Sequence, residues 1–131
     1  MAAHHIPYVA QGSISHWRDL TAKAEKAFAV EGPAFLNVFA PCPRGWRHAY
    51  NKTVEMAKSA VDTTFWPLFE VDHGEWKLTK KVRDRAPIEE FLKPQGRFKH
   101  LFKPENAGLL EELQADVDAY YRYVERRCET G

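Results

Sequence analysis

Cys42 stands between two prolines in the run Ala40-Pro41-Cys42-Pro43-Arg44-Gly45-Trp46. A thiolate is both a nucleophile and a soft metal ligand. Prolines on either side fix the backbone and remove two amide donors, so the sulfur is held in one direction, as a metal or cluster ligand must be. The bland alternative is that a lone cysteine serves as a small buried hydrophobe. No second soft ligand lies nearby: there is no Cys-x-x-Cys, and Cys128 sits far along the chain in a stretch that reads as a polar tail. Arg44 and Arg47 flank the loop and could hold a carboxylate or phosphate, or simply make ordinary ion pairs. His4, His5, His16, His48, His73 and His100 are scattered without metal-ligand spacing and read as surface or turn histidines.

The elements that must position Cys42 follow from hydrophobic periodicity. An apolar run over Ile6 to Ala10, with Pro7 at its start, predicts a strand. Ser15 is placed to cap a helix whose Trp17, Leu20, Ala24, Ala27 and Phe28 share one face, and Gly32 with Pro33 ends it. Ala34 to Ala40 is almost continuously apolar, as in a strand buried on both faces of a parallel sheet. Strand, helix, strand is a βαβ pattern, and the cysteine loop leaves the C-terminal end of its second strand, where open α/β sheets place ligands.

Pro41 to Tyr50 predicts an irregular loop. Asn51 then caps a helix bearing Val54, Ala57, Val61 and Phe65 on one side. A hairpin follows over 68–78, turning at Asp72-His73-Gly74. Lys80 to Ala86 is a connector, Pro87 opens a short helix through Leu92, and Pro94 with Gly96 returns the chain to a loop. Beyond Pro104, Leu109, Leu110, Leu113, Val117, Tyr120, Tyr121 and Val124 trace an amphipathic helix ending at Arg126 and Arg127. The fold class is therefore α/β, with two or three parallel strands followed by a hairpin and C-terminal helices. No glycine-rich fingerprint follows the first strand, which argues against a nucleotide-binding domain.

Composition sets the outer bounds. At 131 residues, 44% hydrophobic and 28% charged, the chain lies in the globular range. Two cysteines exclude a disulfide framework, and with no secretory-type leader the expected setting is reducing and cytoplasmic. No run approaches the roughly 20 apolar residues of a membrane span. The formal +1 charge conceals a division: nine basic and three acidic side chains between Lys77 and Lys103 put +6 there and −5 elsewhere. Such a segment is a solvated face or meets an acidic neighbour. Nucleic acid is not expected, because Trp76, Phe91, Phe98 and Phe102 fit hydrophobic packing as well as base stacking.

Six ordered motifs together resemble one family: Ile6-Pro7-Tyr8-Val9-Ala10, Glu31-Gly32-Pro33-Ala34-Phe35-Leu36, the cysteine loop, Ala60-Val61, Trp66-Pro67-Leu68-Phe69-Glu70 and Gln95-Gly96-Arg97-Phe98-Lys99-His100-Leu101. They look like the C-terminal part of the beta subunit of pyruvate:ferredoxin oxidoreductase (pyruvate synthase), in the 2-oxoacid:ferredoxin oxidoreductase family. Branched-chain 2-oxoacid enzymes share much of the pattern. The resemblance implies an enzyme using thiamine diphosphate with magnesium, a 4Fe-4S cluster, coenzyme A and ferredoxin. Decarboxylation of pyruvate to acetyl-CoA, or the reverse synthesis, is the implied reaction. Cys42 matches the late fourth cysteine ligand of the cluster near the thiazolium, and Arg44 and Arg47 become candidate contacts for substrate or coenzyme A.

The family's remaining cysteines and its Gly-Asp-Gly stretch for magnesium diphosphate are not found in these 131 residues. The expectation is thus a truncated, split or separately encoded half. Residues 1–50 would complete the thiamine-diphosphate domain, and residues 51–131 would form a C-terminal extension. Its partners would be the missing N-terminal half and the other oxidoreductase subunits, and the isolated chain is expected to be inactive and to bind no cofactor. The alternative is a non-catalytic assembly module that keeps the fold. Gly96 is expected to permit a tight turn, with Phe98 and Leu101 as anchors, and Trp46 and Trp66 to serve packing.

Overall fold

Strand β1 (Tyr8–Ser13), helix α1 (Trp17–Ala29) and strand β2 (Ala34–Phe39) form the expected βαβ unit, with β1 and β2 parallel and Tyr8 to Ser13 in register with Ala34 to Phe39. The structure is a computed structural model and describes residues 1–130. Strands β3 (Phe69–Asp72) and β4 (Glu75–Leu78) form the hairpin, and β3 pairs antiparallel with the free side of β1, giving the order β2-β1-β3-β4. The sheet is therefore mixed, with one parallel pair. Left-handed His73 (φ 47°) and Gly74 (φ 89°) make a two-residue turn whose twist suits adjacent strands. The His73 amide also donates to the Pro7 carbonyl at 2.8 Å, tying the turn to the entrance of β1.

Helix α1 lies against one sheet face so closely that a Cβ on Gly12 would come within 2.9 Å of Leu20 Cδ1. On the opposite face Val9, Phe69 and Val71 pack with Val124 of helix α5 (Ala107–Glu129). Cys128 packs at the border of this cluster and is partly buried, so it lies in a helix and not in a polar tail; burial pushes its thiol pKa up. The larger core sits where β2 ends. There Phe39 meets Met56, Ala57 and Ala60 of helix α3 (Thr53–Asp62) and Ile88, Phe91 and Leu92 of helix α4 (Ile88–Leu92), with Leu101 and Val117 closing it.

Several local expectations shift. The Ser15 hydroxyl bonds Ser13 and His16, and the N-cap of α1 is His16; α3 begins one residue after Lys52, so Asn51 is not its cap. The sheet-facing strip of α1 is Leu20, Lys23, Ala24 and Ala27, while Trp17 and Phe28 fall to its side and are 64% and 91% exposed. Strand β2 is the largest departure. Its composition predicts burial on both faces, yet it is the sheet edge, and Phe35 and Val38, on opposite faces, are both exposed.

Lys23 explains how α1 can turn a cation inward. Only 1% exposed, it donates each of its three protons: to the Gln11 carbonyl (2.8 Å), Asp19 Oδ2 (2.6 Å) and Thr79 Oγ1 (2.8 Å). Next to it Glu70 accepts from the Tyr8 hydroxyl (2.7 Å) and from Lys26 (2.6 Å), and burial together with that hydrogen bond pushes the Tyr8 pKa far up. Replacing Lys23 with alanine leaves three acceptors without their donor and should cost about 3 kcal/mol in urea unfolding; a loss below about 1 kcal/mol would show the network to be dispensable. Burial lowers the Lys23 pKa below 10.5, so between those two values the folded chain binds fewer protons than the unfolded one. This group's contribution to stability accordingly rises with pH across that window, a rise the alanine variant lacks.

Candidate functional site

The cysteine run is not the irregular loop its prolines suggest. It contains a helical turn, α2 (Pro43–Trp46), because a proline at the first helical position gives up an amide that would have no helical partner anyway. Cys42 is the N-cap residue, and its Sγ accepts the Gly45 amide at 3.4 Å. The Trp46 amide donates to the Cys42 carbonyl (2.9 Å) and that of His48 to the Pro43 carbonyl (3.1 Å), while Arg47 turns left-handed (φ 58°) to end the helix. The Cys42 thiol is exposed and free at the C-terminal end of β2, where the sequence places it.

Two supports seat the turn. Beneath it, Trp46 packs on Phe39 (5.5 Å between ring centroids) and Phe91 (6.5 Å); Phe39 in turn meets Trp66 (4.9 Å), and Phe65 stacks on Phe91 (4.8 Å). The Trp66 indole donates to the Gly12 carbonyl at 2.8 Å, linking this aromatic group to β1. Both tryptophans therefore pack as expected. The second support comes from the Gln95-Gly96-Arg97 stretch. The Gly96 amide donates to the Arg47 carbonyl (3.1 Å), and the Arg97 guanidinium lies 4.0 Å over the Trp46 ring and 4.5 Å over that of Phe98. Gly96 is not the tight-turn residue expected. Its φ is not left-handed and it opens a 3-10 helix (Gly96–Phe102); glycine is needed because a Cβ would sit 2.8 Å from Arg47 Cβ.

Among the described residues, Arg44, Arg47 and Arg97 have no carboxylate partner, so the ordinary ion pairs open to Arg44 and Arg47 are not made. Burial lowers the Arg97 pKa. Three guanidinium groups thus belong to the loop and its clamp. His48 also departs from expectation. It is buried edge-on to Trp46, its Nδ1 lies 3.0 Å from the Ala49 carbonyl, and Nε2 has no partner. No neighbouring residue pattern signals its burial, which comes from the turn of α2 and not from local hydrophobicity. Elsewhere in the basic segment, Arg85 pairs with Asp118 (3.0 Å) and Lys103 reaches Glu105 (4.0 Å).

The donor set fits one ligand of a four-thiolate cluster. Cys42 supplies an exposed thiol with an amide hydrogen bond to sulfur, one of the levers that set a cluster's potential. Among the described residues no group of three or more His, Cys, Asp or Glu is placed to hold a metal ion. A cluster to which Cys42 contributed would need its other ligands from outside the described residues. No helix of the described residues is long and apolar enough to cross a membrane.

No protein-family model matches the chain. Curated relatives do. It is 47% identical over 130 residues to pyruvate synthase subunit PorB of Thermotoga maritima, covering 98% of this chain and 38% of that subunit. The PorB subunit of Methanosarcina barkeri is 43% identical over 126 residues, covering 95% and 43% respectively. Ketoisovalerate oxidoreductase subunit VorB of Pyrococcus abyssi is 47% identical over 103 residues, covering 77% of this chain and 33% of the subunit. The chain thus spans about two fifths of the pyruvate synthase subunits it matches, in their C-terminal portion.

Proposed function

We infer that this chain, a homologue of the C-terminal portion of pyruvate synthase subunits, works as part of a 2-oxoacid:ferredoxin oxidoreductase and contributes Cys42 to its electron path. The observation that carries this is the exposed Cys42 thiol on a braced turn at the end of β2. A thiolate ligates iron only when deprotonated and correctly aimed, and the turn does the aiming. In the assembled enzyme Cys42 is the fourth ligand of a 4Fe-4S cluster. Thiamine diphosphate with magnesium, bound mainly by the rest of the subunit, supplies decarboxylation chemistry; coenzyme A takes the acyl group and ferredoxin the electrons. Arg44 and Arg47, free of carboxylates, face the 2-oxoacid carboxylate or a coenzyme A phosphate. The setting is cytoplasmic.

Strand β2 supports the assembly part of this reading. An apolar edge strand exposed on both faces is a liability for a free domain and the natural seam of a larger sheet. Its occupant is the part of the subunit that precedes this region in the relatives. Pyruvate is the favoured substrate from the coverage of the pyruvate synthase relatives; the ketoisovalerate relative favours a branched-chain 2-oxoacid as the second reading.

Co-expression of this chain with that preceding segment and the partner subunits tests the proposal. The parts should elute together, and pyruvate with coenzyme A should reduce a viologen dye faster than 2-oxoisovalerate does. Phe35→Asp should release the chain from the complex. Co-elution that survives Phe35→Asp would overturn the seam, and a complete complex inert toward every 2-oxoacid would overturn the enzyme assignment.

A further inference from the structure

We propose that Arg97 is a positioning residue for Cys42, and that Gln95, Gly96 and Arg97 act as a clamp holding the cysteine turn in one orientation. The consequence for cofactor binding rests on Cys42 being a cluster ligand, but the clamp itself does not.

The turn would otherwise be poorly restrained. Helix α2 has a single turn, Cys42 is exposed, and Gly45 within it has no side chain to pack. Short helices of this kind have little stability of their own. The clamp supplies what is missing at three points. Gln95, fully buried, donates from Nε2 to the Phe91 carbonyl (2.6 Å) and so is fixed to α4. Its Oε1 accepts Arg97 Nε at 2.8 Å, which sets the plane of the guanidinium. That plane then rests on Trp46, and one residue away the Gly96 amide holds the Arg47 carbonyl.

The path from the buried core to the Cys42 backbone is therefore continuous: Phe91, Gln95, Arg97, Trp46 and, through the Trp46 amide, the Cys42 carbonyl. Arginine suits the position because a planar cation can stack on an aromatic face and donate sideways at once. Lysine keeps the charge but has neither the plane nor the Nε donor. Among the described residues Arg97 makes no ion pair, which fits the same role, since an ion pair would compete for the guanidinium.

Amide hydrogen exchange on the 131-residue chain tests the clamp without any cofactor. In Arg97→Ala the amides of Trp46, His48 and Gly96 should exchange about tenfold faster, corresponding to roughly 1.4 kcal/mol of local opening. Those of Val9 to Gln11 in β1 should keep their rate. Arg97→Lys should restore little of the protection, and Gly96→Ala should loosen the same amides by collision with Arg47. Unchanged loop amides, or equal acceleration in loop and strand, would overturn the clamp. In the assembled enzyme the same Arg97→Ala should broaden the signal of the cluster in electron paramagnetic resonance. Loosened amides beside a cluster that survives Cys42→Ala would leave the clamp standing and remove the ligand assignment instead.

Discussion

Replacing Phe91 with alanine should destabilise the chain by about 3–5 kcal/mol, the range for truncating a buried aromatic. Phe91 is fully buried and lies where three supports meet: Phe39 at the end of β2, Phe65 after α3, and Trp46 under the cysteine turn. A cavity here cannot close cheaply, because each neighbouring ring is held by another element. The Phe91 carbonyl, which alanine keeps, also anchors Gln95, so a backbone shift of α4 toward the cavity would move the clamp on the cysteine turn as well. Set against the roughly 5–15 kcal/mol that a domain of this kind has in total, such a loss is large. Phe91→Leu, which keeps much of the volume, should cost clearly less in urea unfolding. A loss below about 1 kcal/mol for the alanine variant would mean that the core under the site is organised differently.

What the sequence made legible is what local chemistry decides. The βαβ unit, the hairpin with its His73-Gly74 turn, the short helix after Pro87 and the long C-terminal helix all follow from periodicity and turn residues, and each forms. Cys42 was legible as a candidate for the same reason: two flanking prolines are visible without a fold. The hairpin's place in the sheet was not, because joining β3 to β1 is a long-range choice that no local pattern records.

Features set by distant partners are illegible for a different reason. Lys23 looks like a solvated charge in any helical window, and only three acceptors brought from β1, α1 and Thr79 make its burial tolerable. The role of Arg97 is hidden because its stretch reads as structural, while its partner Trp46 lies about 50 residues away in sequence. Pro43 suggested a break, although at the first helical position it favours a turn. Strand β2 is as apolar as a buried strand, yet Phe35 and Val38 are exposed. That exposure comes from its place at the sheet edge.

With Cys42 in its proposed ligand role, Cys42→Ala should have the largest functional effect, because it would remove one of four thiolates and with it the proposed electron path. Four-iron clusters are held by four thiolates, and alanine offers no replacement donor. Little effect on stability is expected, since the side chain is exposed and its one hydrogen bond, from the Gly45 amide at 3.4 Å, goes to sulfur, a weak acceptor. Function and folding therefore separate cleanly at this position, as they do not at Phe91. Cys128→Ala is the matched control, a thiol on α5 away from the turn.

The decisive measurement is electron paramagnetic resonance of the reduced, assembled complex carrying each variant, with iron content measured in parallel. Cys42→Ala should lose the four-iron signal assigned to this subunit and the matching iron while the complex still assembles, and Cys128→Ala should keep both. A Cys42→Ala complex with its signal and iron unchanged would contradict the account.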